Sequence, residues 1–180
     1  MNIILFGFKG SGKTHLGKLL SIALKRPFMD TDDLMIKLYE EKHGKQLSIR
    51  EIHQLLGEAD FRVLEKTAIH NLQPSSPCVI ALGGGAALDL DNINYLQKVG
   101  QLVYLKVSFN TIQKRILNGL IPSFVDSKNP IESLHQIYQQ RIPVYESIAA
   151  RCIDADFLNE ADCIKTIRSL LFLEEPQNGF

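Results

Sequence analysis

The sequence has no tryptophan, only three cysteines and no surplus of charge of either sign. Its 20 lysines and arginines balance 20 aspartates and glutamates, so the formal net charge at pH 7 is zero. Nucleic-acid binders usually carry a basic excess, and that class is disfavoured from the start. Cys78, Cys152 and Cys163 are odd in number, and no pair has the close spacing of a zinc site. They are expected to be reduced, buried thiols in a cytoplasmic protein. No window approaches the ~20 apolar residues of a membrane span. The apolar start "NIILF" follows no basic leader, so no secretory signal is expected. Internal repeats, low-complexity stretches and interdomain linkers are also missing. What is present is 180 residues, 45% hydrophobic and 22% charged, which fits one globular domain with a sizeable core.

Apolar periodicity alternates between strand and helix along the chain. "NIILF" reads as a buried strand, and Leu16, Leu19, Leu20, Ala23 and Leu24 repeat at helical spacing behind it. Further strands are expected at "RPFMDTD", "SPCVIALGGG", "QLVYLKV" and "RCIDA". Helices are expected over 32–42, 48–56, 58–71, 91–99, from Ser108 or Asn110 to Gly119, from Pro130 onward, and over 160–173. Ser48 with Glu51 forms a capping box, Pro130 sits in a first turn, and Pro143 is expected to break or kink its helix near Arg141. The tail 174–180 has no periodicity. Alternating strands and helices imply an α/β fold, a five-stranded parallel sheet flanked by helices on both faces. Two regions interrupt the alternation: the all-helical stretch 32–71 and the loop-like stretch 118–129. Both follow strand ends, where open α/β sheets bind ligands.

"GFKGSGKT", Gly7 to Thr14, matches G-x-x-x-x-G-K-[ST], between an apolar strand and an amphipathic helix. Glycines at Gly7, Gly10 and Gly12 let the backbone curl so that its N–H groups, with Ser11 and His15 alongside, face phosphate oxygens. The helix N-terminus adds positive potential. Lys13 reaches the terminal phosphates, and Thr14 offers a hydroxyl to Mg²⁺. The plain alternative is a glycine turn with an incidental lysine, which the flanking strand and helix disfavour. Neither N-K-x-D nor a switch D-x-x-G is present, so ATP is expected rather than GTP.

"FMDTD" places Asp30 at a strand end and Asp32 two residues later. One of the two carboxylates could hold Mg²⁺ through water and the other orient or deprotonate a hydroxyl; read plainly, the acids only start a helix. Arg62 in "GEADFR" lies among mixed charges, as solvated arginines do. Gly83, Gly84 and Gly85 in "LGGGAAL" leave bare backbone where a ligand could approach. Arg141 in "QQRIPVYESIA" stands just before the proline break.

Together, "GFKGSGKT", "FMDTD", "GEADFR", "VIALGGGA" and "QQRIPVYESIA" resemble the shikimate kinase family over most of the chain. The resemblance implies the P-loop, nucleoside-monophosphate-kinase-like fold as a single domain, with a substrate-binding region at about 32–71 and a lid at about 118–129. It implies transfer of the γ-phosphate of ATP to the 3-hydroxyl of shikimate, on the route to chorismate and the aromatic amino acids, by a monomer using Mg²⁺. Residue by residue, it implies Lys13 and Thr14 on phosphates and metal, Asp30 on metal through water, and Asp32 as base or orienter of the substrate hydroxyls. Arg62 and Arg141 clamp the substrate carboxylate, Gly83, Gly84 and Gly85 line the substrate site, and Arg115 lies near the nucleotide.

The chain departs from the family at one point. Members carry an arginine directly before the lid proline, and here Ile121 precedes Pro122. Two explanations compete: another cation takes over, from Lys9, Lys114, Arg115 or Lys128, which is the expectation here, or the enzyme works more slowly, by about 10³-fold or more. Two other readings stand beside this one: a P-loop kinase acting on gluconate or a nucleoside monophosphate, and a catalytically weak ATP-binding protein with a regulatory role.

Overall fold

Short strands of three to seven residues that bury apolar side chains on both sides can be covered only if helices pack on both faces of the sheet. The computed structural model, which describes residues 1–119 and 121–172, is built this way. The elements run β1 (Asn2–Phe6), α1 (Lys13–Leu24), β2 (Phe28–Asp30), α2 (Thr31–His43), α3 (Ile49–His70), β3 (Val79–Ala81), α4 (Leu90–Val99), β4 (Gly100–Lys106), α5 (Phe109–Leu117), α6 (Pro130–Ile148), β5 (Cys152–Asp154) and α7 (Glu160–Phe172). A short 3₁₀ turn, Ala86–Leu88, lies between β3 and α4. All strand pairs are parallel, in the order β2-β3-β1-β4-β5. The period-2 alternation of β1 divides the core: Ile3 and Leu5 pack with Leu16, Leu20, Ile167 and Leu171 on one face. Ile4 and Phe6 pack with Ile93, Leu96, Ile112, Leu134 and Tyr145 on the other.

A third apolar cluster joins Met35 and Tyr39 of α2 to Ile52, Phe61 and Ala68 of α3. It gives the stretch 32–71 a small core of its own beside the sheet. The side chain of Thr31 ties this lobe to β3, its hydroxyl accepting the Gly83 N–H at 2.8 Å. The capping box at Ser48 and Glu51 is formed in both directions. The two helices expected over 48–56 and 58–71 are two arms of α3, broken at Gly57 with φ 72° and ψ 174°. That conformation is open almost only to glycine.

Two expectations fail. Pro143 does not end its helix: α6 continues through it to Ile148. Leu134 and Tyr145, on either side of the proline, are both fully buried, so tertiary packing holds the helix together where local bonding is lost. Cys78 and Cys163 are buried, but Cys152 is exposed at the start of the edge strand β5. Residue 173 and the tail 174–180 lie outside the described residues, as does Leu120 within the expected lid.

Replacing Gly57 with alanine isolates the backbone requirement, because an added Cβ there meets no atom within 4 Å. Gly57→Ala is expected to lower the unfolding free energy by about 1–3 kcal/mol in urea titration. Unchanged stability would mean that the break between the two arms does not depend on glycine.

Candidate active site

The loop after β1 leaves the sheet between β3 and β4, at the carboxyl ends of the strands. Gly7, Gly10 and Gly12 all have positive φ (144°, 84° and 97°), so the glycines of the loop are required by its path. Gly12 precedes α1 and supplies no side-chain cap, which leaves the first N–H groups of the helix open to an anion. Lys13 curls back under the loop, donating to the carbonyls of Gly7 at 2.9 Å and Phe8 at 2.8 Å. Burial pulls its pKa down to about 8, and the neighbouring Lys9 pushes the same way.

A cavity of about 600 Å³ opens over this loop, lined by Lys9, Gly10, Ser11, Gly12, Lys13, Thr14 and His15, with Asp30, Asp32, Gly83, Gly84, Arg115 and Glu160 around its rim. The Arg115 guanidinium donates to the Gly10 carbonyl at 3.0 Å, and His15 pairs with Glu160 at 2.6 Å. Thr14 donates its hydroxyl to Asp30 Oδ2 at 2.8 Å. Asp30 also caps α2 by accepting the Asp32 N–H at 3.0 Å. The helix-start reading of these acids is realised by Oδ1 of Asp30, while its Oδ2 faces Thr14 at the edge of the cavity.

A second cavity, of about 360 Å³, lies between the α2–α3 lobe and the loop 121–129. Phe61, Ile121, Pro122 and Phe124 make it apolar, while Arg62, Arg141, Lys9 and Asp32 project charge into it. The Arg62 guanidinium is fixed by two carboxylates, Glu58 at 2.8 Å and Glu65 at 2.6 Å. It lies over Gly85, where any Cβ would stand 2.6 Å from a terminal nitrogen. Arg141 is held differently, facing the rings of Phe124 at 4.7 Å and Phe8 at 5.8 Å. The neighbouring Tyr145 hydroxyl donates to the Gly84 carbonyl at 2.5 Å, and burial moves its pKa up to about 12.

The two cavities share one wall, made of Lys9, Asp32, Gly83 and Gly84. The glycines are needed for space there: a Cβ on Gly83 would stand 2.7 Å from Asp32, and one on Gly84 3.1 Å from the Lys9 backbone. Lys9 Nζ lies 3.7 Å from Asp32 Oδ2. Burial raises the Asp32 pKa against the pull of Lys9.

The family model for shikimate kinase matches residues 9–171. This chain belongs to the shikimate kinase family. It is 37% identical to the shikimate kinase of Sulfurihydrogenibium sp. (strain YO3AOP1), over 92% of this chain and 95% of that one. It is 36% identical to that of Syntrophus aciditrophicus (strain SB), over 92% and 88%. Among solved structures, a shikimate kinase from Acinetobacter baumannii in complex with shikimate superposes with a TM-score of 0.85 at 28% identity, over 98% of this chain and 95% of that one. A gluconokinase from Sinorhizobium meliloti 1021 matches at TM-score 0.57 and 17% identity, a likeness of fold alone.

All the site residues expected from the shikimate kinase resemblance line one or both of these cavities or, as with Gly7, shape the loop beneath them. Of the four cations considered in place of the lid arginine, Lys9 lines both cavities and Arg115 the larger one. Lys114 and Lys128 line neither. Sequence reasoning missed Glu58 and Glu65, although their spacing of four and three residues from Arg62 is helical and was visible. It also missed His53, Phe124 and Tyr145, whose approach to the site depends on chain crossings that no local pattern records.

The raised pKa of Asp32 has a consequence for stability. The folded state keeps the proton to a higher pH than the unfolded chain does, so stability falls as pH rises from the ordinary carboxylate range through the folded-state value. At neutral pH the ionised Asp32 therefore destabilises the fold. Asp32→Asn is expected to raise the unfolding free energy at pH 7 by about 0.5–2 kcal/mol, seen as a higher thermal midpoint. A lower midpoint would show that its partners outweigh its burial.

Proposed function

We infer that this chain is a shikimate kinase, an ATP-dependent enzyme that phosphorylates the 3-hydroxyl of shikimate on the way to chorismate and aromatic amino acids. The observation that carries the reading is the wall shared by the two cavities. A phosphate-binding loop on one side and a two-arginine pocket on the other meet at Asp32, where a donor phosphate and an acceptor hydroxyl can lie in line.

The geometry supports the following roles. The loop amides of Gly10, Ser11 and Gly12, with Lys13, hold the ATP phosphates, and Arg115 and His15 flank the nucleotide. Thr14 and Asp30 place two hard oxygens together beside the phosphates, a donor set that fits Mg²⁺. Among the described residues no group of three or more His, Cys, Asp or Glu side chains could cage a metal alone, as expected for an ion that keeps waters and phosphate oxygens in its shell. Bound there, Mg²⁺ would supply charge neutralisation on the phosphates. Asp32 accepts the hydrogen bond of the attacking hydroxyl and takes its proton, a task suited to a carboxylate whose pKa is already raised. Arg62 and Arg141 grip the substrate carboxylate with planar forks. The bare backbone of Gly83, Gly84 and Gly85 lets the ring approach, and the loop 121–129 covers the pocket from water as a lid.

Lys9 takes the part of the cation that Ile121 does not supply. Its side chain is 47% accessible and its ion pair with Asp32 is long, at 3.7 Å, so it can swing to a phosphoryl group passing between the cavities. We further propose a monomeric, cytoplasmic enzyme; among the described residues no helix is long and apolar enough to cross a membrane.

The function is tested by ADP release from Mg²⁺-ATP with shikimate, gluconate or nucleoside monophosphates as acceptor. Release that depends on shikimate alone is expected, and Asp32→Asn is expected to lose most of it while still binding ATP. Equal turnover with gluconate would replace this reading by a broader sugar-acid kinase. Lys9→Met is expected to lower kcat by about 10²-fold, with Lys9→Arg recovering part of the loss. An unchanged kcat in Lys9→Met would remove Lys9 from the reaction.

A further inference from the structure

His53 lies in the wall of the smaller cavity with only 17% of its side chain accessible, edge-on to Phe61 at a ring distance of 4.7 Å. An imidazole in such a setting needs partners for both nitrogens. Nε2 is 2.8 Å from Glu58 Oε2, and Nδ1 is 3.0 Å from the Ser123 hydroxyl. A carboxylate only accepts, so Nε2 donates to Glu58, and Nδ1 pairs with the Ser123 hydroxyl, which can serve as donor or acceptor. Burial works against the Glu58 charge, but the hydrogen bonds from His53 and Arg62 outweigh it and hold the carboxylate below its usual range. The other oxygen of Glu58 accepts from Arg62 Nε. A continuous chain of polar contacts thus runs from Ser123 through His53 and Glu58 to Arg62.

The ends of this chain matter. Ser123 belongs to the loop over the cavity, and other hydrogen bonds of that loop stay local: Val125 N–H to the Pro122 carbonyl, Asp126 N–H to the Ser133 hydroxyl and Lys128 N–H to Asp126. The same loop places Phe124 on the Arg141 guanidinium. His53 sits on the first arm of α3, while Glu58 and Arg62 sit on the second, so the glycine break at Gly57 is what folds the imidazole back onto Glu58.

We propose that His53 is a positioning residue that couples the seating of the loop 121–129 to the orientation of Arg62, so that covering the pocket and aligning the carboxylate clamp occur together. This rests on the shikimate kinase reading. His53 lines the smaller cavity and not the one over the phosphate loop; it acts through Glu58 on one side and Ser123 on the other.

The test is a double-mutant cycle of His53→Phe and Ser123→Ala, read as steady-state KM and kcat for each substrate, with His53→Gln as the conservative variant. Phenylalanine keeps the aromatic contact with Phe61 and removes both hydrogen bonds. His53→Phe is expected to raise KM for shikimate about tenfold, leave KM for ATP within about twofold, and increase ADP release without shikimate relative to transfer. His53→Gln should recover part of the KM. Ser123→Ala should raise KM for shikimate in the parent and change nothing further in His53→Phe. Equal effects of Ser123→Ala in both backgrounds, or an unchanged KM for shikimate in His53→Phe, would overturn the coupling. If His53→Phe fails to fold, the single Ser123→Ala variant decides: parental KM and idle ADP release would refute the proposal. Absence of shikimate turnover in the parent enzyme would instead refute the function, a result separate from any outcome of the cycle.

Discussion

A buried ammonium group at the end of a hydrophobic strand is the constraint around which this molecule is arranged. Lys13 is 7% exposed and donates to the carbonyls of Gly7 and Phe8 and, at 3.5 Å, to the Ser11 hydroxyl. An ion in that position is tolerated only if backbone oxygens converge on it, and the chain can turn tightly enough to bring them there only through glycines with positive φ. The parallel sheet supplies the rest: β1 lies between β3 and β4, so the loop that holds Lys13 opens where the carboxyl ends of neighbouring strands deliver Asp30, Gly83 and Leu105. Destabilisation is concentrated here, in an ammonium with a lowered pKa and a carboxylate with a raised one, and the two sheet-face cores carry the stability that offsets it.

The second cavity depends on a different balance. Arg62 and Arg141 are two like charges facing one apolar pocket, and each is restrained without being sealed off. Two carboxylates hold Arg62, and aromatic faces hold Arg141. On the function proposed here, an incoming carboxylate would meet guanidinium groups whose orientation is already fixed, which lowers the entropy lost on binding. The α2–α3 cluster of Met35, Tyr39, Ile52, Phe61 and Ala68 makes this possible by giving the arginine-bearing helix a core of its own. The Thr31–Gly83 hydrogen bond then sets that lobe against the sheet, so that Asp32 stands over the glycine turn.

Much of this was legible in the sequence because it depends on neighbours along the chain. The glycine loop, the strand before it and the helix after it form one local unit, and its purpose is written in "GFKGSGKT". The five strands, the capping box at Ser48 and the glycine break in α3 follow from periodicity and backbone restriction, which act over a few residues. The Arg62 ion pairs with Glu58 and Glu65 obey helical spacing and belong to the same class. The continuity of α6 through Pro143 does not: local chemistry argues for a break, and the burial of Leu134 and Tyr145 on either side of it overrides that preference.

The sequence by itself determined the α/β order, the phosphate loop and the set of charged residues from which a site would be built. Only the tertiary structure decided which of those charges meet. Lys9 and Lys128 look alike in sequence, yet only Lys9 stands at the junction of the two cavities. His53 and Ser123 are 70 residues apart and share a hydrogen bond, and Phe124 reaches Arg141 across the mouth of the pocket. The physical reason is one of range. Propensity, capping and turn chemistry are short-range and can be read along the chain, whereas contacts between distant segments are fixed by how whole layers pack, which no window of neighbouring residues contains.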